Sequence, residues 1–328
     1  MILQDIDFGP LWGASGVEGF FGLTGPSAEY PNQRFPRLLR PNMSGVTFVA
    51  KTTTFDRRGK EEGANLELDD DLRVHEWFPK CIASNPFTCE TVNAVGLPGP
   101  GIISLLDRGE WQKRTEPFQI SFMSVAGTRS ERRKENMRFV SILGARLSEF
   151  RSSAIALQRN ISCPNVGLSQ DDIFDEAIEA LRDGSSLGIP QIVKVSACGL
   201  DPGKVYELST HDVCDGICLT NTFPWKSLPD QVKVSAFGSI ESPLRRRGIQ
   251  ADGGYSGPYA RRVTLLMLRL ILLAGCKKPI NAGGGITHPR HVREYMYAGA
   301  SSVSIGTVAR YRWWRIPAIV REAHQLLT

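Results

Sequence analysis

The chain has 328 residues, of which 41% are hydrophobic and 22% charged, and its 39 Lys and Arg against 34 Asp and Glu leave a net charge of +5. This composition excludes disordered and fibrous chains, and so mild a charge without strong clustering points away from nucleic acid as a partner. One α/β barrel takes about 250 residues, more with insertions, so 1–328 reads as a single domain.

The seven cysteines are odd in number and irregularly spaced, which fits a reducing compartment rather than a disulfide framework. Cys214 and Cys218 flank the start of an apolar run and no zinc or iron–sulfur spacing follows them, so no metal is expected. The first residues are acidic and lack a basic leader. The longest apolar run, Val263 to Gly275, is interrupted by Arg269 and is too short to span a bilayer. A cytoplasmic protein is the expectation.

In chain order, short apolar runs predict eight strands, at Val46–Ala50, Glu90–Ala94, Phe118–Phe122, Ile155–Gln158, Ile192–Val195, Gly216–Leu219, Pro279–Ala282 and Ser302–Ile305. Helical periodicity predicts helices over Ser130–Phe150, Asp171–Asp183, Pro258–Ala274, His288–Ala298 and Ile316–Leu327. Strands alternating with helices imply parallel βα units, and eight of them imply a (β/α)8 TIM barrel. A doubly wound sheet would instead place its glycine turn near the first strand. Two insertions, Thr53–His75 and Phe223–Asp252, are expected at the C-terminal face, where active sites form. The basic stretches Arg245–Arg247 and Arg310–Arg315 read as a solvated loop and the approach to the last helix.

The residues that end these strands carry the functional argument. They include Lys51-Thr52, Asn93, Ser121 to Ser124, Asn160, Lys194, Asn221-Thr222, Gly283-Gly284-Gly285 and Gly306-Thr307, and a barrel brings all such ends to one mouth. Unpaired buried amides are costly. Asn supplies both a donor and an acceptor, so a ring of asparagines suits a planar ligand rich in heteroatoms. Glycine turns after the last two strands allow backbone N–H groups to approach a phosphate.

Asn160-Ile161-Ser162-Cys163-Pro164-Asn165 resembles the catalytic-loop signature of the dihydroorotate dehydrogenases, and further motifs follow in the order of that family. Trp12-Gly13-Ala14-Ser15-Gly16 is similar to its N-terminal flavin-contacting stretch, and Lys51-Thr52 to its Lys-Ser/Thr pair. Asn93-Ala94-Val95-Gly96-Leu97-Pro98 is similar to its substrate loop. Thr220-Asn221-Thr222 and Gly253-Gly254-Tyr255-Ser256-Gly257 recur at the expected places.

The resemblance implies FMN-dependent oxidation of (S)-dihydroorotate to orotate in pyrimidine biosynthesis. Cys163 would be the base and Lys51 a second catalytic residue. Substrate would lie against Lys51, Asn93, Val95, Gly96, Leu97, Asn160, Asn165, Asn221 and Thr222. FMN would be held by Ala14, Ser15, Lys51, Thr52, Asn160, Lys194, Gly254, Ser256, Gly257, Gly284, Gly285, Gly306 and Thr307. A cysteine base marks the soluble class 1 enzymes, whose relatives are homodimers. The loop after Lys51 departs from the family pattern, and Thr220-Asn221-Thr222 resembles class 1B and class 2. The electron acceptor therefore stays open among fumarate, a quinone, and NAD through an electron-transfer partner subunit. Two alternatives remain: a dihydropyrimidine dehydrogenase-like enzyme and a catalytically silent flavin-binding subunit.

Overall fold

The computed structural model of the chain describes residues 1–22, 41–74, 76, 78–151, 154–161 and 170–326. Its strands are β1 (Ile2–Leu3), β2 (Ile6–Asp7), β3 (Leu11–Gly13), β4 (Phe48–Val49), β5 (Ile82–Asn85), β6 (Glu90–Asn93), β7 (Phe118–Phe122), β8 (Ile155–Asn160), β9 (Gln191–Lys194), β10 (Gly216–Leu219), β11 (Phe223–Pro224), β12 (Gly254–Ser256), β13 (Ile280–Gly283) and β14 (Ser302–Ile305). Its helices are α1 (Ile102–Asp107), α2 (Arg129–Arg146), α3 (Gln170–Gly184), α4 (Pro202–Ser209), α5 (Asp230–Phe237), α6 (Pro258–Leu273), α7 (Pro289–Tyr297), α8 (Thr307–Tyr311) and α9 (Ile316–Gln325).

Eight parallel strands run in the order β3-β14-β13-β10-β9-β8-β7-β4. A parallel bridge between Trp12 and Thr47 joins the two edges and closes the barrel. Seven of the eight expected barrel strands are present. Glu90–Ala94 is the exception: its residues form β6, which pairs antiparallel with both β5 and β12. The eighth barrel strand is instead Leu11–Gly13. An antiparallel partner on each side cannot be accommodated in a parallel barrel, so β6 belongs to a separate sheet of order β11-β12-β6-β5.

Side-chain alternation sorts the strands into two faces. Phe118, Ile120, Leu157, Val193, Ile217, Ile280 and Val303 point outward into the clusters under the helices. Trp12, Val49, Ala156, Ile192 and Cys218 point inward, where they pack with Met1, Leu3 and Phe8 as an apolar floor. Above that floor the interior turns polar. Asn281 Oδ1 accepts from Ser304 Oγ at 2.7 Å, and Asn281 Nδ2 donates to Ser302 Oγ at 2.8 Å. Gln158 Nε2 donates to Gln119 Oε1 at 3.0 Å. Helix starts follow local chemistry: Thr128 and Glu131 form a reciprocal capping box on α2, and Pro258 and Pro289 open α6 and α7.

The basic run Arg245–Arg247 lies on an exposed loop and Arg310–Arg315 leads into α9, as composition suggests, but several of these arginines also bind the protein. Arg246 donates to the Phe237 carbonyl, Arg247 to the Ile82 carbonyl, and Arg245 pairs with Asp252, so the second insertion is fastened to β5. Arg312 and Arg315 likewise donate to the carbonyls of Phe87 and Thr287. Long arginines spend their charge on carbonyls that no ladder satisfies.

Asn281→Ala tests the polar interior. It would leave the buried Ser304 hydroxyl without its acceptor and remove the donor to Ser302, which keeps only Met1 Sδ, and we expect urea unfolding to report a loss of about 2–4 kcal/mol.

Candidate active site

The C-terminal ends of the barrel strands carry most of the expected site. Ala14 and Ser15 follow β3, Lys51 and Thr52 follow β4, Asn160 and Lys194 end β8 and β9, and Asn221 and Thr222 follow β10. A continuous hydrogen-bond chain joins four of these. Asn221 Nδ2 donates to Asn160 Oδ1 at 3.1 Å, and Asn160 Nδ2 lies 3.4 Å from Thr52 Oγ1. Thr52 Oγ1 is 2.8 Å from Ser121 Oγ and 2.9 Å from Ser15 Oγ. Ser15 Oγ donates to the Ala50 carbonyl at 3.1 Å. With its single proton used there, Ser15 must accept from Thr52, and Thr52 must in turn accept from Ser121. The chain therefore has one direction across the mouth, and the neighbour bonds of Asn160 and Asn221 fix which edge of each amide faces it. The Thr222 N–H, bonded to Asn221 Oδ1 at 2.9 Å, locks the second amide.

Two lysines flank this chain. Lys51 Nζ donates to the Pro98 carbonyl and lies 4.7 Å from the centre of the Phe20 ring. Lys194 is buried, which lowers its pKa, with the neighbouring Cys218 offsetting part of that shift.

Asn93 ends β6 rather than a barrel strand, yet the accessory sheet delivers the loop after it to the same side, since Lys51 reaches Pro98. The loop has a forced shape. Gly96 has φ +84°, and a Cβ there would lie 2.8 Å from Ala64 Cα, while Leu97 has φ 59°. Its carbonyls are held by the first insertion: Asn65 N–H to Val95 O at 3.0 Å, Asn65 Nδ2 to Ala94 O at 2.7 Å, and Arg58 Nε to Gly96 O at 2.8 Å. Among the described residues, the N–H groups of Val95, Gly96 and Leu97 donate to nothing. Successive unpaired N–H groups in one turn are the kind of backbone donors that anion-binding nests use. Arg58 and Asn65 were not legible as functional residues, because neither carries a motif and only the fold brings them under the loop.

At the other end of the mouth, Gly284 and Gly285 take φ +116° and +62°, and a Cβ on Gly285 would meet the Gly257 carbonyl at 2.5 Å. A Cβ on Gly254 would meet Thr222 Oγ1 at 2.2 Å. Gly254, Gly257 and Gly285 thus have no room for a side chain where 253–257 packs against Thr222 and the 283–285 turn. Gly306 and Thr307 follow at the end of β14, and Thr307 Oγ1 is buried without a hydrogen-bond partner among the described residues. An orphaned hydroxyl beside a glycine is what a phosphate oxygen would satisfy. Cys163 and Asn165 fall outside the described residues.

A small, partly open cavity of about 90 Å3 lies elsewhere, behind Asn160 and Ile161 between α2 and α3. It is too small for a cofactor, since such pockets run to about 300 Å3 or more. It is walled by ion pairs such as Arg132–Glu176 at 2.6 Å.

The comparisons with known proteins agree with this geometry. Residues 79–327 match the family model described as dihydroorotate dehydrogenase. The chain belongs to the dihydroorotate dehydrogenase family. It is 28% identical over 241 residues to the dihydroorotate dehydrogenase B (NAD(+)) catalytic subunit of Geobacillus kaustophilus, covering 72% of this chain and 70% of that one. It is 26% identical over 302 residues to the enzyme of the same name from Pyrococcus abyssi, covering 85% and 90%. To the dihydroorotate dehydrogenase A (fumarate) of Limosilactobacillus reuteri it is 25% identical over 251 residues, covering 73% and 74%. The fold is shared with ligand-free DHODH from Eimeria tenella at a TM-score of 0.65 and 16% identity, over 100% of this chain and 86% of that one. No described helix is long and apolar enough to cross a membrane.

Glu18, just beyond the Ala14-Ser15-Gly16 stretch, is buried with Oε1 unpartnered, and burial raises its pKa from 4.5 to about 7 against the pull of Arg114. A folded-state value above the unfolded one means that ionisation works against the fold. Stability present below pH 4.5 is lost as the pH rises towards 7. Glu18→Gln should therefore match the parent protein near pH 4 and exceed it by about 1–3 kcal/mol at pH 8, measured as urea midpoints at the two pH values.

Proposed function

We propose that the chain, acting as one FMN-binding barrel domain over 1–328, oxidises (S)-dihydroorotate to orotate in pyrimidine biosynthesis. The observation that carries this reading is the joining of Asn160 and Asn221 to Thr52 in one directed hydrogen-bond chain beside Lys51, in a chain of this family. Two fixed amides at the mouth of a barrel suit the alternating donors and acceptors of a pyrimidine ring.

The residues divide the work. Lys51 and the free N–H groups of Val95, Gly96 and Leu97 take the substrate carboxylate, the first by charge and the others by direct donation. Asn93, Asn160, Asn165 and Asn221 bind the ring edges, with Thr222 behind them. Ala14, Ser15, Lys51, Thr52, Asn160 and Lys194 line the place of the flavin ring. Gly254, Ser256, Gly257, Gly284, Gly285, Gly306 and Thr307 line the place of its phosphate. The orphaned Thr307 hydroxyl and the positive-φ glycines of the 284–285 turn support that fit. When bound, FMN supplies the acceptor for the hydride that leaves C6. Cys163, as thiolate, takes the proton from C5 onto Sγ. Lys194 ends β9 beside the place of the flavin ring, where its ammonium form would favour the more negative state of the site after hydride leaves the substrate. The name of the relatives from G. kaustophilus and P. abyssi includes "catalytic subunit", which supports an electron-transfer partner subunit. Homodimer formation is part of the same proposal.

Anaerobic mixing of the flavin-loaded protein with dihydroorotate should bleach the visible flavin band. In Cys163→Ala the rate should fall by about 10²–10⁴-fold, the usual contribution of a positioned base. No bleaching with dihydroorotate, or bleaching with dihydrouracil alone, would overturn the assignment. Fumarate, a quinone and NAD with a partner subunit are the acceptors to offer next.

The bleaching rate should also rise with pH as the thiol ionises, around an ordinary value near 8.5. A rate that is flat from about pH 6 to 9 would remove Cys163 from the role of base.

A further inference from the structure

Glycines let the backbone approach a phosphate, but the same freedom leaves the turn without a preferred shape. Gly284 and Gly285 stand at φ +116° and +62°, so something outside the turn has to hold it. Three side chains behind it do so. Tyr295 Oη, on α7, donates to the Gly284 carbonyl at 3.0 Å. His291 Nδ1, one helical turn earlier, accepts from the Thr287 N–H at 3.1 Å. Arg315 Nη1, ahead of α9, donates to the Thr287 carbonyl at 3.2 Å.

We propose that Tyr295, His291 and Arg315 are positioning residues that aim the 284–287 backbone at a phosphate they do not themselves touch. This rests on the reading of that turn as the FMN phosphate site. The geometric reason lies in the planarity of the trans peptide, in which C=O and the following N–H point in opposite directions. By drawing the Gly284 carbonyl towards α7, Tyr295 turns the Gly285 N–H away from α7. That N–H donates to no described residue. His291 secures the other end of the turn. It can accept from Thr287 only as a neutral ring, and burial together with Arg261 and Arg290 pushes its pKa down to about 4. Arg290 Nε also lies 3.4 Å from His291 Nε2. A neutral imidazole has one proton, so the shorter contact to Thr287 is taken as the hydrogen bond and the proton is assigned to Nε2.

Tyr295 and His291 are both buried, which makes a surface role for their polar ends untenable. A purely structural role predicts something different from a positioning role. Loss of general packing would weaken every flavin equally, whereas loss of aim would weaken only ligands that carry the phosphate.

The test compares FMN with riboflavin, its counterpart without phosphate, by equilibrium binding to flavin-free protein. The unaltered chain should prefer FMN. In Tyr295→Phe, which removes one hydroxyl, FMN affinity should fall about tenfold, in line with one hydrogen bond, with riboflavin affinity unchanged. His291→Leu should behave alike, and His291→Asn, whose Oδ1 can replace Nδ1 as acceptor, should recover most of the preference. An undiminished FMN preference in Tyr295→Phe and His291→Leu would overturn the clamp, as would a parallel loss for both ligands. An unaltered protein with no preference for FMN would overturn the phosphate reading itself, and the clamp with it.

Discussion

The barrel is closed by very little. β3 and β4 have three and two residues, and two backbone hydrogen bonds at Thr47 join them: Gly13 N–H to Thr47 O at 2.9 Å and Thr47 N–H to Leu11 O at 2.8 Å. Everything at the mouth depends on this seam. It sets Ser15 beside Thr52, from which the hydrogen-bond chain to Asn160 and Asn221 runs. An open sheet would leave β3 and β4 as unpaired edges and would separate the two ends that begin that chain. The apolar floor supports the seam from below, because Trp12 and Val49 pack there against Phe8 and Leu3.

Above the floor the barrel interior departs from the usual filling of branched apolar side chains. It holds Gln119, Gln158, Asn281, Ser302 and Ser304, all buried. Polar groups in a low-dielectric interior are favourable only when paired, and each bond then restricts the others. Asn281, Ser302 and Ser304 are joined in this way, whereas Gln119 Nε2 and Gln158 Oε1 have no partner among the described residues. At the mouth, the bonds of Asn160 and Asn221 settle the orientation of those two amides, so less orienting entropy is left to be lost on binding.

The insertions extend this logic outside the barrel. Arg58 and Asn65 hold the carbonyls of the loop after Asn93, which leaves its N–H groups free to face an anion. Arg245, Arg246 and Arg247 fasten the second insertion, and Arg312 ties the segment before α9 to the hairpin of β5 and β6. At the opposite side of the mouth, α7 performs a comparable service for the glycine turn. Both turns thus keep unpaired N–H groups among the described residues while other residues have claimed their carbonyls.

Much of this was legible locally. The alternation in Phe118–Phe122 and Ile155–Asn160 is a property of consecutive residues, so strand character and inward-facing positions could be read directly. The same holds for the helix starts at Thr128 and Pro258, and for the glycines after the last two strands. Glu90–Asn93 has the same local pattern as the barrel strands and was placed among them. What distinguishes it is its pairing with β5 and β12, a matter of distant partners that no window of sequence contains. Leu11–Gly13 is too short to register as a strand and becomes one only because β14 and Thr47 lie on either side. Asn160, Asn221 and Lys51 could be named in advance because strand ends in a barrel converge by geometry, whereas Asn93 comes to the mouth from the accessory sheet. The support from Arg58, Asn65, His291 and Tyr295 could not, since each acts on a backbone group that only the completed fold brings within reach. Local chemistry determined what each segment could be, and the closing of the barrel decided which segments would meet.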